Sequence, residues 1–444
     1  MASSATAAAL YAATISSASV VGAQPEEAKD KAHHLKDSKG FTNPWVTIAF
    51  KSLTMSRADS STLLQDSWRN FTGPEIVKAL LWFVDSSLLV DSIRVSKLTI
   101  TRRRVKGMAN KPDTTPPTVP VRKPDFLPSR ITPNLRATWL GHACYFVEFP
   151  QGFRVLFDPV FSERCSPFTW LGPKRYTEAP CQIEEIPTID AVIISHNHYD
   201  HMDHPTIMKI KAKHPNVQFF VPLGNKKWFG ESGIHEGVTE LDWWEERDMN
   251  LSPATSKSAI SSTDVTASST GEKSQGIVAR IGCLPCQHTS ARTAFDKGAT
   301  LWASWSVESG GKKVYFGGDT GYRAVPELPK DVDDYGPEHK YPHCPAFKQI
   351  GDLRGPFDLG LIPIGAYDPR YIMSTMHANP FDSVNIFKDT KCRQAMGIHW
   401  GTWVLTEEDV LEPPRLLRKA LAKNDIPETG VFDVCDIGES REFR

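Results

Sequence analysis

The chain has 444 residues, of which 40% are hydrophobic, and a formal net charge of −1, and this length accommodates one large domain or two ordinary ones. The near-neutral charge excludes a globally basic nucleic-acid-binding protein, so no nucleic-acid partner is expected.

The eight cysteines lack the density of a disulfide scaffold, which indicates reduced thiols in a cytosol-like compartment. Cys283 and Cys286 form a single CxxC motif, which we interpret as structural. No apolar stretch reaches the roughly 18 residues of a spanning helix, so a soluble or peripheral protein is expected.

The first 130 residues are predicted to precede the main domain. Residues 1–40 are rich in Ala, Ser and Thr and then highly charged, and we expect a disordered tail there. Residues 41–130 are interpreted as an N-terminal extension, in which the apolar pattern of 74–100 predicts a helix. Residues 92–111 carry seven Lys and Arg and no acidic residue. This stretch is either a segment that lies against an anionic membrane or a solvated basic linker, and the prolines that follow favour a linker from there on.

Residues 131–440 are predicted to form one domain in which strands alternate with helices. Strands are expected at 137–140, 145–149, 154–157, 190–194, 217–221, 277–284, 300–307, 314–316, 359–364 and 395–399, and helices at 204–214, 381–388 and 415–423. Residues 252–275 are Ser/Thr-rich and are interpreted as a disordered insert, because strands continue on both sides. Such interleaving predicts an α/β or mixed layered fold.

A dense cluster of polar side chains follows one of the most apolar strands. The strand that ends at Ile194 leads through Ser195 to four possible metal ligands, which are His196, His198, Asp200 and His201. Imidazole and carboxylate are the ligands that zinc and related divalent ions prefer. Since the cluster comes directly after a buried strand, the sequence predicts a metal site at the rim of a sheet.

Three further positions suit the remaining ligands. His288, Asp319 and His399 each lie at or just after the end of an apolar strand, as the first cluster does. The Asp319 carboxylate has two oxygens, which is enough to bridge two ions. The seven residues together therefore predict a site for two metal ions.

These motifs resemble the metallo-β-lactamase superfamily. More narrowly, the blocks at 139–142, 196–201, 287–288, 317–322, 363–367 and 398–402 are similar to the N-acyl-phosphatidylethanolamine-hydrolysing phospholipase D family. The similarity spans roughly residues 41–50 and 130–440. It implies an α+β fold, namely an αβ/βα sandwich of two mixed sheets flanked by helices. Phe381 and Asp382 replace the acidic pair that usually follows Asn379-Pro380, which leaves lipid contacts there undefined.

The resemblance also implies a site and an activity. One zinc would be held by His196, His198 and His288, the second by Asp200, His201 and His399, and Asp319 would bridge the two Zn²⁺ ions. Tyr199 and His377 would contact the substrate. The reaction would be hydrolysis of N-acyl-phosphatidylethanolamine to N-acylethanolamine and phosphatidic acid. It would take place on a phospholipid at an intracellular membrane surface, on the cytoplasmic face or in the mitochondrion, with a homodimer as the suggested assembly.

The ligand set indicates the chemistry. Two ions about 3.5–4 Å apart lower the pKa of a shared water, and the resulting metal-bridging hydroxide attacks phosphorus. Asp200 is expected to orient this hydroxide and accept its proton, so Asp200 and His377 are the predicted catalytic residues. Asp158 is either a hydrogen-bond partner of a ligand histidine or a turn residue that caps its strand, and His142 has the same two interpretations.

Two alternative functions remain open. The first is another hydrolase on the same fold that acts on a lactone, a thioester or an RNA end, although the near-neutral charge argues against RNA. The second is a non-catalytic membrane lipid-binding protein with a degenerate site. A degenerate site would show gaps, whereas all seven ligand positions are filled.

Overall fold

The computed structural model describes residues 11–36, 40–45, 112–253, 276–293, 295–329 and 332–444. In chain order the strands are β1 (Tyr11–Ser17), β2 (Leu135–Trp139), β3 (Tyr145–Glu148), β4 (Arg154–Phe157), β5 (Ala191–Ile193), β6 (Gln218–Pro222), β7 (Val238–Leu241), β8 (Glu246–Pro253), β9 (Ile277–Leu284), β10 (Ser304–Ser309), β11 (Lys312–Phe316), β12 (Phe357–Pro363), β13 (Cys392–Ile398), β14 (Phe432–Asp433) and β15 (Ser440–Phe443). The α-helices are α1 (His204–Lys213), α2 (Lys226–Glu231), α3 (Ala346–Leu353), α4 (Arg370–Met373), α5 (Pro380–Asp389) and α6 (Glu412–Lys423).

The strands form two mixed sheets. The order is β1-β8-β9-β10-β11-β12-β13-β14 in the eight-stranded sheet and β15-β2-β3-β4-β5-β6-β7 in the seven-stranded sheet. Strands β4 to β7 run parallel, as do β11 to β14, whereas the remaining pairs are antiparallel. Parallel strands need helical crossovers that cover the sheet, and α1 and α5 occupy such crossovers. The predicted α+β sandwich of two sheets with flanking helices is confirmed.

Two apolar clusters hold the layers together. The larger one lies between the sheets, where the rings of Phe157 in β4 and Phe316 in β11 are 4.7 Å apart. The second lies under α1 and α2 and includes Ile207, Ile210 and Phe229. All eight cysteines are free and buried, and Cys283 and Cys286 belong to the larger cluster, which agrees with a structural role. Burial on both faces explains why the parallel strands read as continuous apolar runs.

The N-terminal region corrects one prediction. Residues 1–40 were expected to be disordered, but Tyr11–Ser17 forms β1 and pairs antiparallel with β8, from Tyr11 opposite Pro253 to Ser17 opposite Arg247. The alternating Tyr11, Ala13 and Ile15 pack against the core, and pairing satisfies the edge of β8 that would otherwise be open. We call residues 11–36 and 40–45 the N-terminal strap. Further along, Val119 is buried in the core, so the chain packs on the domain before residue 131.

Several predictions lie outside the described residues. These are the helix in 74–100, the basic stretch 92–111 and residues 254–275 of the insert, whereas Ser252 and Pro253 belong to β8. Among the described residues, no helix has both the length and the apolar character needed to cross a membrane.

Candidate metal centre

The motif between Ser195 and His201 is presented by a strand that ends and a helix that begins. β5 ends at Ile193, and the loop then folds back on itself, because the backbone N–H groups of His201 and Met202 donate to the carbonyl of His198 at 3.1 and 2.8 Å. Helix α1 begins at His204 with a proline in its first turn, a position where proline's missing N–H is tolerated. The imidazoles are thus held at the rim of the sheet rather than in its face.

Three imidazoles converge on one point. His196 Nε2 lies 2.8 Å from His198 Nδ1, and His288 Nε2 lies 3.1 and 3.3 Å from these two atoms. His288 arrives from the opposite sheet, four residues after the end of β9. This set of three nitrogens could hold one metal ion.

A second group surrounds the Asp200 carboxylate. Asp200 Oδ2 lies 3.3 Å from His201 Nε2, 3.4 Å from His399 Nε2 and 3.1 Å from His142 Nε2. His399 directly follows β13. These four side chains could hold a second ion.

Asp319 lies between the two groups. Its Oδ2 atom is 3.0 Å from His399 Nε2 and 3.2 Å from His201 Nε2 in the second group. The same atom is 3.7 Å from His288 Nε2 and 3.9 Å from His196 Nε2 in the first group. Its Oδ1 atom is buried and has no hydrogen-bond partner among the described residues. The structure therefore brings all seven predicted ligands together, with one carboxylate in contact with both groups.

The hydrogen bonds around the first group leave the lone pairs of two imidazole nitrogens facing each other. Ser195 Oγ donates to Asp158 Oδ2 at 2.5 Å, so it accepts from His196 Nδ1 at 2.9 Å, and His288 Nδ1 donates to the carbonyl of Met376 at 2.9 Å. A neutral imidazole carries a single N–H, so His196 Nε2 and His288 Nε2 face each other as acceptors. Such a contact is unfavourable unless a cation lies between them, and divalent metals are the cations that imidazole binds. The donor set fits a metal ion.

The titration behaviour of these groups agrees with that fit. Burial lowers the pKa of His288 to about 3 and that of His198 to about 4, so both are neutral, as metal ligands must be. The carboxylate of Asp319 is buried, but His201 and His399 hold its pKa well below the usual range. Burial opposes a charge on His201, yet Asp319, Asp200 and Asp158 raise its pKa. Asp319 and Asp200 likewise raise the pKa of His399 to about 9 against the effect of burial. The first group therefore presents neutral imidazoles, whereas the carboxylates of the second group favour positive charge at the positions where a cation could lie.

Asp158 contacts one of the predicted ligand histidines directly. Its Oδ2 atom accepts from His201 Nδ1 at 2.6 Å, and its Oδ1 atom accepts from the backbone N–H of Ser195 at 2.7 Å. Of the two interpretations, these contacts favour the partner role, because they fix the tautomer that leaves His201 Nε2 free. His142 contacts Asp200, and burial lowers its pKa to about 3, so His142 acts on Asp200 as a neutral donor.

The two predicted substrate contacts border this cluster. His377 Nδ1 is 3.9 Å from Asp319 Oδ2 and is buried without a hydrogen-bond partner in the described structure. Burial lowers the pKa of His377 to about 3, so a neutral imidazole is presented. The half-exposed Tyr199 packs against a small cluster that includes Trp403.

Sequence reasoning missed Arg292. Its Nη1 atom donates to the carbonyls of Asn197 and Met202, both at 2.9 Å, and its guanidinium lies 3.9 Å from the centre of the Tyr199 ring. Arg292 thus ties together the two ends of the ligand-bearing turn. Its targets are backbone atoms, which leave no pattern in the sequence.

Asp382 belongs to an ion network rather than to a free surface. It is fully buried in the first turn of α5, 3.2 Å from Arg323 Nε and 2.7 Å from Arg370 Nη2. Both arginines also contact Asp334. This network fixes the chain on both sides of His377, and it leaves the Asp382 carboxylate without room for a lipid.

Comparison with known proteins places this geometry in a family. A family profile described as "Beta-lactamase superfamily domain" matches residues 153–400. The chain is 36% identical over 312 residues to N-acyl-phosphatidylethanolamine-hydrolyzing phospholipase D 1 of Caenorhabditis elegans, covering 69% of this chain and 75% of the relative. It is 32% identical over 282 residues to the mitochondrial N-acyl-phosphatidylethanolamine-hydrolyzing phospholipase D of Saccharomyces cerevisiae, covering 63% of this chain and 50% of that relative.

Among solved structures, a metallo hydrolase of the archaeon Ignicoccus hospitalis aligns with 70% of this chain and 99% of its own, at 17% identity and a TM-score of 0.39. The profile covers more than half of the chain, and the nematode relative is matched over three quarters of its length. The chain therefore belongs to the beta-lactamase superfamily and, within it, to the N-acyl-phosphatidylethanolamine-hydrolysing phospholipase D family.

Proposed function

We propose that the protein is a zinc-dependent phosphodiesterase of the phospholipase D type, which hydrolyses N-acyl-phosphatidylethanolamine to N-acylethanolamine and phosphatidic acid. The single observation that carries this proposal is the position of Asp319, whose Oδ2 atom contacts both histidine groups. A carboxylate shared in this way suits a centre of two ions, and the family relatives bear the names of phospholipases with this substrate.

The proposed ligands divide as the two groups do. His196, His198 and His288 would hold one Zn²⁺, Asp200, His201 and His399 would hold the other, and Asp319, which lies between the two groups, would be shared by both. Imidazole nitrogen and carboxylate oxygen are zinc ligands of choice. Two such ions supply a hydroxide nucleophile near neutral pH and neutralise charge on phosphate oxygens.

The chain's own side chains orient the reacting groups. Burial opposes a charge on Asp200, but His201, His142 and His399 hold its pKa well below the usual range. Asp200 is therefore an ionised acceptor that can orient the attacking water, and we assign to it the uptake of that water's proton. The phosphorus–oxygen bond to the ethanolamine oxygen breaks, and the alcohol leaves with a proton while phosphatidic acid keeps the new oxygen. His377 offers to a phosphate oxygen a buried Nδ1 beside Asp319 that has no hydrogen-bond partner among the residues the structure describes, and Tyr199 lines the approach to the site.

The proposed substrate places the enzyme at a membrane. Because the substrate is a phospholipid, we infer a peripheral, intracellular enzyme that docks on a lipid surface, on the cytoplasmic face or in the mitochondrion. The basic stretch 92–111 supports this inference from sequence alone. A homodimer is proposed on the family resemblance only.

The proposal is tested by metal analysis and by turnover of N-acyl-phosphatidylethanolamine in detergent micelles. We expect about two zinc ions per chain and release of N-acylethanolamine, and we expect Asp319→Asn to lower kcat/KM by more than about 100-fold, since a shared ligand matters more than an outer partner. Asp358→Asn is the matched control, because Asp358 is also buried but contacts Lys312 and Arg393 instead. Turnover of a lactone or thioester without release of N-acylethanolamine would replace the substrate assignment, and binding of lipid without any turnover would indicate a lipid-binding protein.

A further inference from the structure

The N-terminal strap reaches the candidate metal centre. Asn43 Nδ2 donates to the backbone carbonyl of His288 at 2.6 Å. His288 is the one histidine among the proposed ligands of the first zinc that lies outside the 196–201 motif. A side chain from the N-terminal region thus touches the backbone of a proposed ligand from the eight-stranded sheet.

The strap is anchored to the loop between β7 and β8 before the chain reaches His288. The buried carboxylate of Asp242 accepts from His33 Nε2 at 2.7 Å, and from His34 Nε2 and Lys31 Nζ at 2.9 Å each. Lys31 Nζ and His34 Nε2 contact the same oxygen of Asp242. Hydrogen bonds therefore explain the convergence of His33 and His34 on Asp242 without a metal ion. The role of Asp242 is to fix the strap on the loop between β7 and β8.

One contact then joins the strap to the loop that carries His288, and a second joins it to the loop between β7 and β8. The backbone N–H of Phe41 donates to the carbonyl of Gly298 at 2.8 Å. The ring of Trp45 stacks on Trp243, with centroids 5.5 Å apart and an interplanar angle of 10°. Asn43 lies between these two anchors in the sequence, so its amide is held in place from both sides.

The backbone around His288 is fixed on its other side as well. Trp302 Nε1 donates to the carbonyl of Cys286 at 3.1 Å, and the Gln287 N–H donates to Thr320 Oγ1 at 2.9 Å. The imidazole itself is oriented by the bond from Nδ1 to Met376. The backbone carbonyl of His288 is a further point of attachment, and the hydrogen bond from Asn43 Nδ2 fixes it.

We propose that Asn43 is a positioning residue for His288, and that the N-terminal strap is part of the metal-binding apparatus. This inference rests on the proposed function, in which His288 is a zinc ligand. Hydrogen-bond partners that orient a ligand typically change metal affinity by about 10–100-fold. Asn43 acts through the backbone of the ligand rather than through its imidazole.

The test compares Asn43→Asp with the wild-type chain. Aspartate has nearly the same shape but cannot donate at neutral pH, so its oxygen faces the His288 carbonyl without a bond. We expect the affinity for the zinc that His288 would bind, measured by chelator competition, to fall by about 10–100-fold. We also expect the visible spectrum of the cobalt-substituted protein to change, because one ligand shifts relative to the ion.

The matched control is Asn424→Asp. Asn424 Nδ2 donates to the carbonyl of Ala420 at 2.9 Å at the end of α6, so this variant loses the same kind of bond away from the metal centre. Asn43→Ala gives a second variant should the aspartate prevent folding, and Asn43→Gln, which keeps the amide donor, is expected to recover part of the zinc affinity. The overturning result is an Asn43→Asp protein with wild-type zinc affinity and cobalt spectrum. If the wild-type chain binds no zinc, the proposed function fails instead.

Discussion

Arg292 holds the ligand-bearing turn in shape with a single side chain. It bridges the carbonyls of Asn197 and Met202, which bracket three of the proposed ligands, and covers the Tyr199 ring. Arginine can do this because its guanidinium is a rigid planar fork, whereas lysine offers a point charge on a flexible stem. The planar shape of the Arg292 guanidinium is therefore more important for this bridge than its positive charge.

We therefore expect Arg292→Lys to lower kcat/KM by about 10-fold or more, since a small displacement of positioned groups is costly in rate. The measurement is steady-state kinetics on N-acyl-phosphatidylethanolamine micelles together with zinc content. Arg415→Lys is the control, because Arg415 is exposed and contacts only Asp409 among the ion pairs of the described structure. An Arg292→Lys enzyme with unchanged kinetics would show that the loop keeps its shape without the fork.

At the residue scale, the sequence predicts which side chains belong to the site better than it predicts which groups those side chains contact. His196, His288 and Asp319 could be identified because ligands of this type follow apolar strands. The contact between Asp158 and His201 could only be offered as one of two alternatives, since both residues would look the same in a turn. Arg292 and Asn43 bind backbone carbonyls, and no side-chain pattern marks a carbonyl.

At the scale of elements, the part of the strap around His33 is held by one buried carboxylate, Asp242. Burial opposes the ionisation of Asp242, but hydrogen bonds from His33 and Lys31 lower its pKa, and burial lowers the pKa of His33. A carboxylate with a lowered pKa stabilises the folded state above its unfolded value, about 3.9, and a histidine with a lowered pKa stabilises it above about 6.5. Both contributions are lost as the pH falls, so acid should loosen the strap.

Asp242→Asn should release the strap at neutral pH. Loss of the charge-assisted bonds costs about 2 kcal/mol, which makes opening roughly 30-fold more frequent. Limited proteolysis measures this: cleavage within 20–45 should accelerate in the variant at pH 7.5, and in the wild-type chain between pH 7.5 and 5.5. Asp352→Asn, at an exposed carboxylate that pairs with Lys348, should leave cleavage unchanged. Equal cleavage rates for Asp242→Asn and the wild-type chain would refute the role given to Asp242.

The strap also marks where element prediction failed. Its alternating Tyr11, Ala13 and Ile15 are too short a pattern to distinguish a strand from a polar tail. What makes them a strand is the open edge of β8, which is more than 200 residues away in the sequence. Local patterns predicted α1, α5 and α6 because those helices carry their own apolar face, whereas β1 gains its stability only from its partner.

At the scale of the whole molecule, the candidate metal centre draws residues from both sheets. The 196–201 motif follows β5 of the seven-stranded sheet, whereas His288, Asp319 and His399 follow β9, β11 and β13 of the eight-stranded sheet. The interface between the sheets is apolar along its length, so this rim is where polar groups accumulate. The sandwich was predictable from the family resemblance, but the convergence of its strand ends is a property of the folded pair of sheets.

Metal removal should consequently destabilise the whole sandwich. Without ions, the opposed nitrogens of His196 and His288 have no cation between them. Metal present at about 1,000 times its dissociation constant contributes about 4 kcal/mol, and for a chain of this size each kcal/mol corresponds to roughly 2 °C in Tm. We expect the chelator-stripped protein to melt roughly 5–10 °C below the loaded one, with full recovery on addition of zinc.

Differential scanning calorimetry of both forms, with the metal content determined in parallel, provides the measurement. A protein shown to be free of metal that melts at the same temperature as the loaded form would mean that the apolar interface alone holds the sheets together.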